Sequence, residues 1–236
     1  MEGFTYTNIF ETKGIEYLII IGFFAILIPF WLLLNKKGKL TQLIQKTTGF
    51  KTTGTLRIPQ GVFFSKYHTW AHLCTNGEAR VGIDEMLLQF TGNVNFDFVK
   101  GTGENIKKGE VLTIVNQNGK NLSILSPITG QIKKTNASLI ENPGLLMEDP
   151  YQQGWVYSIK PTRWKAETNS YYLAEEATYW AKQEMLRFKD FLSVSVAKSM
   201  PEPSKLVLQD GGELVDQPLA ELPQEVWHDF QDKFLS

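Results

Sequence analysis

Few residue types in this 236-residue chain could do chemistry: three histidines, one cysteine, and a lysine beside an Asn-Gly pair. His68 and His72 stand four apart, the spacing at which a helix would offer both rings to one metal ion. Along an extended strand the same interval is about 13 Å, too far for a shared ion, so both are expected to be structural. With His228 remote in sequence, no metal site is expected. Cys74 follows His68 by six residues, and nothing in the sequence places a base beside it. It reads as a small buried hydrophobe, not a nucleophile. A single cysteine also excludes an internal disulfide and a Cys-cluster metal centre. Gly101-Thr102-Gly103-Glu104 imitates a phosphate loop, but no Gly-Lys-Ser/Thr follows and no helix opens after it. Without a nucleophile–base pair, a carboxylate pair or a metal cluster, no catalytic residue is expected and the chain does not read as an enzyme. Lys120 remains: a primary amine one residue past Asn118-Gly119.

The elements that must position these groups are mostly short strands. Apolar alternation broken by Gly, Asn and Pro predicts strands at 61–64, 69–75, 79–83, 93–99, 111–116, 122–125, 130–135 and 154–159. Asn76-Gly77 and Asn118-Gly119 favour two-residue hairpin turns, since both central positions take positive φ. A short helix fits 84–90, with Asp84 capping its first turn. From Ser170 to about Ala197 the period changes: Leu173, Ala177, Trp180, Ala181, Glu184, Phe188 and Leu192 fall at helical steps. Met200-Pro201-Glu202-Pro203 breaks that helix. A strand-like piece at 205–209, a turn at 210–212 and a short helix after Pro223 complete the chain. Trp227, Phe230 and Phe234 make the last helix's apolar face. Most aromatics of the long helix are expected in the core; the rest, with Trp227 and Phe230, are expected to offer a docking surface to a protein partner.

Composition limits the partners. Lys+Arg 24 against Asp+Glu 25 gives a net charge of -1, so no nucleic-acid partner is expected. Hydrophobic content of 42% with 21% charged residues suits a packed core. The mean hydropathy of -0.19 hides one apolar run, residues 17–34, which carries no charge. As a helix it would be about 27 Å long, near the thickness of a bilayer's hydrocarbon. Its N-terminal flank is acidic (Glu2, Glu11, Glu16), against a cleaved signal peptide. Lys36, Lys37, Lys39 and Lys46 follow it. The positive-inside bias then predicts a single-pass cell-membrane protein, its N-terminus outside and its soluble domain cytoplasmic, contacting the lipid bilayer through residues 17–34. The expected organisation is a tail over 1–14, a transmembrane helix over 15–35 and a connector over 36–60. A β domain over 61–163 follows, then an amphipathic helix over 164–199 and an extension over 200–236 with a short helix.

The middle of the chain resembles the H protein of the glycine cleavage system. The resemblance is carried in order by Ser65-Lys66-Tyr67-His68-Thr69-Trp70, Ala79-Arg80-Val81-Gly82-Ile83-Asp84, Gly92-Asn93-Val94 and Lys108-Gly109-Glu110-Val111. Ser126-Pro127-Ile128-Thr129-Gly130-Gln131-Ile132, Asn142-Pro143-Gly144-Leu145-Leu146, Asp149-Pro150-Tyr151 and Gly154-Trp155-Val156 follow. It implies a mainly β fold: a lipoyl-domain-like barrel-sandwich hybrid, or flattened β barrel. With the elements above, this gives a C-terminal amphipathic helix and one preceding transmembrane helix. In that family a lipoyl-lysine at a hairpin tip carries an aminomethyl group between partner enzymes, and the protein catalyses nothing itself.

Ten residues after Gly109 and eight before Pro127, the family's intervals for that lysine, both arrive at Gly119. Asn116-Gln117-Asn118 stands where the resemblance implies an acidic-Ser-Val motif. No cofactor is therefore expected. The implied function is a scaffold or accessory subunit of a multi-protein membrane complex, with membrane-embedded or membrane-bound protein partners. The alternative is a lipoyl carrier using Lys120 for lipoate, of the glycine cleavage or lipoate-dependent sulfur oxidation type. A one-residue shift along a strand, however, turns a side chain to the opposite face.

Overall fold

The computed structural model describes residue 17, residues 20–28, Arg57–Ser199 and Gln217–Ser236. The chain divides into two compact units, Met1–Gln45 and Lys46–Ser236. In the first, Tyr17 and residues 20–28 are helical and exposed. No helix among the described residues is long and apolar enough to cross a membrane. This overturns the transmembrane helix expected over 15–35, and with it the single-pass membrane location. The tail, the lysines that set the expected topology, most of the 36–60 connector, the 205–209 strand and the 210–212 turn lie outside the described residues.

The second unit is built on antiparallel strands in two sheets: β1 (Val62–Phe64), β2 (Thr69–Leu73), β3 (Ala79–Ile83), β4 (Asn95–Phe98), β5 (Asn105–Ile106), β6 (Val111–Gln117), β7 (Lys120–Leu125), β8 (Gly130–Thr135) and β9 (Trp155–Pro161). One sheet runs β1-β2-β3-β9-β8-β5 and the other β4-β6-β7, which leaves β7 an edge strand. Trp70, Val81, Ile83, Leu112, Ile124, Ile132 and Ile159 are fully buried in the core. Gly82 pairs with Trp70 across β2 and β3, and a Cβ there would stand 2.7 Å from the indole. The Trp70 Nε1–H then reaches the Ile83 carbonyl at 3.0 Å.

Helices cover the sheets. α1 (Glu85–Thr91) starts at Asp84, whose carboxylate accepts from the Leu87 N–H at 2.8 Å, as the sequence predicts. Two single turns, α2 (Ser138–Glu141) and α3 (Leu145–Glu148), were not visible in the pattern. The helical segment expected over 164–199 is interrupted after a short α4 (Trp164–Thr168), and the helix expected from Ser170 begins only at Glu175, as α5 (Glu175–Ser199). The reason is local: Tyr172 exchanges both main-chain hydrogen bonds with Phe64 of β1, and Ala174 turns at φ 50° before α5 begins. α6 (Gln224–Phe234) packs against β7. Its Trp227 and Phe230 are 1% and 0% exposed, so they are core and not the docking surface expected of them.

Candidate functional site

The two Asn-Gly pairs fold differently. Asn118 (φ 52°) and Gly119 (φ 81°) join β6 to β7 directly, both in the left-handed region that a tight primed turn demands. At the other pair, β2 ends at Leu73, so the loop to β3 is five residues long and Asn76 keeps a negative-side backbone while Gly77 alone is left-handed. The Asn76 side chain instead accepts from the Glu78 N–H at 3.1 Å. Gly119 is therefore the apex of a true two-residue hairpin, and a Cβ placed on it would meet nothing within 4 Å.

Lys120, the adjacent amine, does not stand free. Its Nζ donates to the Ala220 carbonyl at 2.5 Å and the Leu222 carbonyl at 3.1 Å, and lies 5.1 Å from the centre of the Trp227 ring. Burial holds its pKa below the usual lysine value, with nearby Glu221 opposing. Lipoate needs a free amine at the tip. Gly119 has none, and the Lys120 amine is turned onto two carbonyls. The residues present do not fit the group.

The segment that receives Lys120 is fixed along its length. Leu219 N–H donates to the Phe90 carbonyl at 3.0 Å, and the Trp227 Nε1–H returns to the Leu219 carbonyl at 2.8 Å. The Gln231 amide pairs with the outward main chain of β7: Ser123 N–H donates to its Oε1 at 2.7 Å, and its Nε2 donates to the Ser123 carbonyl at 3.1 Å. A side chain thus completes an edge that would otherwise stay unpaired.

His68 anchors the segment's far end. It lies at φ 56°, just before β2, and is fully buried. Its Nδ1 is 2.9 Å from Asp84 Oδ2. Its Nε2 is 3.5 Å from Glu184 Oε1, an ion-pair distance that leaves this nitrogen without a hydrogen bond. Burial pulls the imidazole pKa down, but the charge and hydrogen bond of Asp84, joined by Glu184, outweigh it and raise it to about 9. Two carboxylates therefore hold one buried imidazolium. Glu184 also receives Arg187 at 2.6 Å, and Arg187 donates to the Lys233 carbonyl and lies 4.2 Å from the Phe234 ring centre. Phe90, Phe188, Phe191, Phe230 and Phe234 pack around this chain of charges.

The other candidates stay apart. His72 sits in β2 with its Nδ1 3.1 Å from the Gly61 carbonyl and does not meet His68. Among the described residues no group of three or more His, Cys, Asp or Glu is placed to hold a metal. Cys74 is half-buried at the turn after β2, not buried as expected, because the strand ends one residue earlier. At Gly101 the main-chain N–H is taken by Glu104 Oε1 at 2.6 Å, so an acid occupies the place a phosphate would need. A groove of about 370 Å³ along β1–β3 is lined by Arg57, Gln60, His72, Arg80, Asp149 and Tyr151. Arg57 is bound to Glu85 and Arg80 lies over Trp155, and the groove holds no nucleophile–base pair. The residues that sequence reasoning missed are Asp84 and Glu184 as partners of His68, and Gln231 and Arg187 as ties of the C-terminal segment. Buried-position acids on otherwise apolar faces were the available signal; Glu184 falls on the apolar stripe of α5.

Residues 62–184 match the family model described as Glycine cleavage H-protein. A probable glycine cleavage system H protein of Pyrococcus abyssi is 28% identical over 129 residues, which is 55% of this chain and 96% of that protein. The glycine cleavage system H protein of Thermus thermophilus is 32% identical over 104 residues, 44% of this chain and 80% of the other. A crystal structure of a glycine cleavage system H protein from Mycobacterium marinum overlaps with a TM-score of 0.46 at 25% identity, covering 52% of this chain and 98% of that one. The segment from Gln217 onward lies outside the matched residues.

Proposed function

We propose that this chain, which belongs to the glycine cleavage H-protein family, is a non-catalytic scaffold or accessory subunit that keeps the carrier's fold without its swinging arm. The H-protein family is a non-catalytic lipoyl carrier. On this reading residues 61–163 are the retained module, residues 164–199 brace it, and residues 200–236 are an extension. Its partners are proteins, and its role is to be contacted rather than to shuttle a group.

One observation carries the reading: at the hairpin apex Gly119 offers no amine, and the neighbouring Lys120 amine is spent on the Ala220 and Leu222 carbonyls. Intact-mass measurement of the protein from its own, lipoylation-competent host tests it. An unmodified mass is expected, and a lipoyl adduct mapped to Lys120 overturns the reading. Gly119→Lys is the matching gain: open space surrounds the site, although its φ of 81° strains any side chain there, and the variant should accept lipoate from a lipoate–protein ligase while the parent chain does not.

A further inference from the structure

We infer that residues 217–236 form a strap docked in cis over the hairpin edge, and that docking of the strap and acylation of Lys120 exclude one another. The strap buries Leu219, Leu222, Val226, Trp227, Phe230 and Phe234 and is tied along its edge by single polar contacts. At its start, the Gln217 side chain lies against Gly92, where a Cβ would collide with it. Next come the two carbonyls that Lys120 holds, then the Gln231 amide on Ser123, and finally the Lys233 carbonyl on Arg187. The Trp227 ring lies beside the Lys120 ammonium, its centre 5.1 Å away.

The exclusion follows from the chemistry of one nitrogen. Docked, the ammonium gives two of its three N–H bonds to the strap and has no free electron pair. To be acylated it must first lose a proton. The amine nitrogen then attacks the carbonyl carbon of an activated acyl donor, such as a thioester or an active ester. A C–N bond forms, and the bond from that carbon to the leaving sulfur or oxygen breaks. The leaving group departs with the bonding pair, and the nitrogen gives up a second proton. The amide that results is neutral and keeps one N–H, so it cannot hold both Ala220 and Leu222 carbonyls. An undocked strap would also bare the Ser123 main chain on an edge strand, an open edge ready to pair with another chain.

The inference goes beyond the proposed function and fails separately from it, because it concerns access to the amine and not its modification in the host. The full chain is treated with N-hydroxysuccinimidyl acetate, and acetylation of each lysine is followed by peptide mapping. Lys134 and Lys160, both exposed, are internal references. Lys120 should react about tenfold more slowly than they do, since its hydrogen bonds must break first. Gln231→Ala, which loosens one edge tie, should speed it severalfold, and Trp227→Ala, which removes the ring beside the amine from the strap's buried face, should bring it toward the reference rate. If Lys120 reacts as fast as Lys134 in the unaltered chain, no strap covers it and the inference is wrong. If both variants leave Lys120 as slow as before, the strap is not what protects it, and the inference is equally wrong.

Discussion

The C-terminal segment is held at its two ends by cations in opposite circumstances. At the hairpin, Lys120 is half-buried and meets neutral carbonyls, with the Gln231–Ser123 pair beside it at a strand edge. At the other end, His68 is fully buried and meets two carboxylates, with Arg187 bringing in the Lys233 carbonyl. Removing a surface hydrogen bond lets water replace it, whereas removing a buried cation strands its acids. The buried end should therefore govern whether the unit folds. The surface end should govern only where the segment lies.

The largest expected effect is at His68. His68→Asn leaves Asp84 buried without its cation and Glu184 with Arg187 alone, and urea denaturation should show a loss of about 3 kcal/mol. A loss no larger than that of a surface variant would erase the contrast between the ends. The pH dependence sharpens the same point. The folded pKa of His68 is raised from 6.5 to about 9, so its contribution is complete below pH 6.5 and disappears as pH rises through about 9. At about 1.4 kcal/mol per pH unit, the linked stability is roughly 3 kcal/mol. Denaturation midpoints should fall between pH 7 and 10, and His68→Asn should flatten that slope. The smallest effect belongs to the hairpin end. Gln231→Ala should cost about 1 kcal/mol while speeding hydrogen exchange at the Ser123 amide. Slow exchange in that variant would mean the edge is protected by something other than the side chain.

Much of the β framework was legible because strand alternation and turn residues act locally. β3 and β8 begin and end where the pattern places them, and Asp84 caps α1 as its position before an apolar run requires. The same logic failed where distant chain decides. Identical Asn-Gly pairs made one tight hairpin and one five-residue loop, because the second depends on β2 stopping at Leu73. Tyr172 reads as helix but is captured by β1, more than a hundred residues earlier. His68 looked structural and is, yet the reason, Glu184 on α5, cannot be seen in its neighbours. The apex itself was reached by counting along the chain. That Lys120 is tied down could not be counted, since its partners lie about a hundred residues downstream. Residues 17–34 misled in the other direction: their composition suits lipid, but no helix among the described residues is long and apolar enough to cross it.

Cys74 is the only thiol in the chain, and it sits half-buried at the turn between β2 and β3. A maleimide dye would consequently attach at one position without any engineered substitution, at a rate set by how often that turn opens. With the chain's five other tryptophans replaced, the indole of Trp227 becomes the sole donor to such a dye, and movement of the C-terminal segment becomes a change in energy transfer that can be followed in real time.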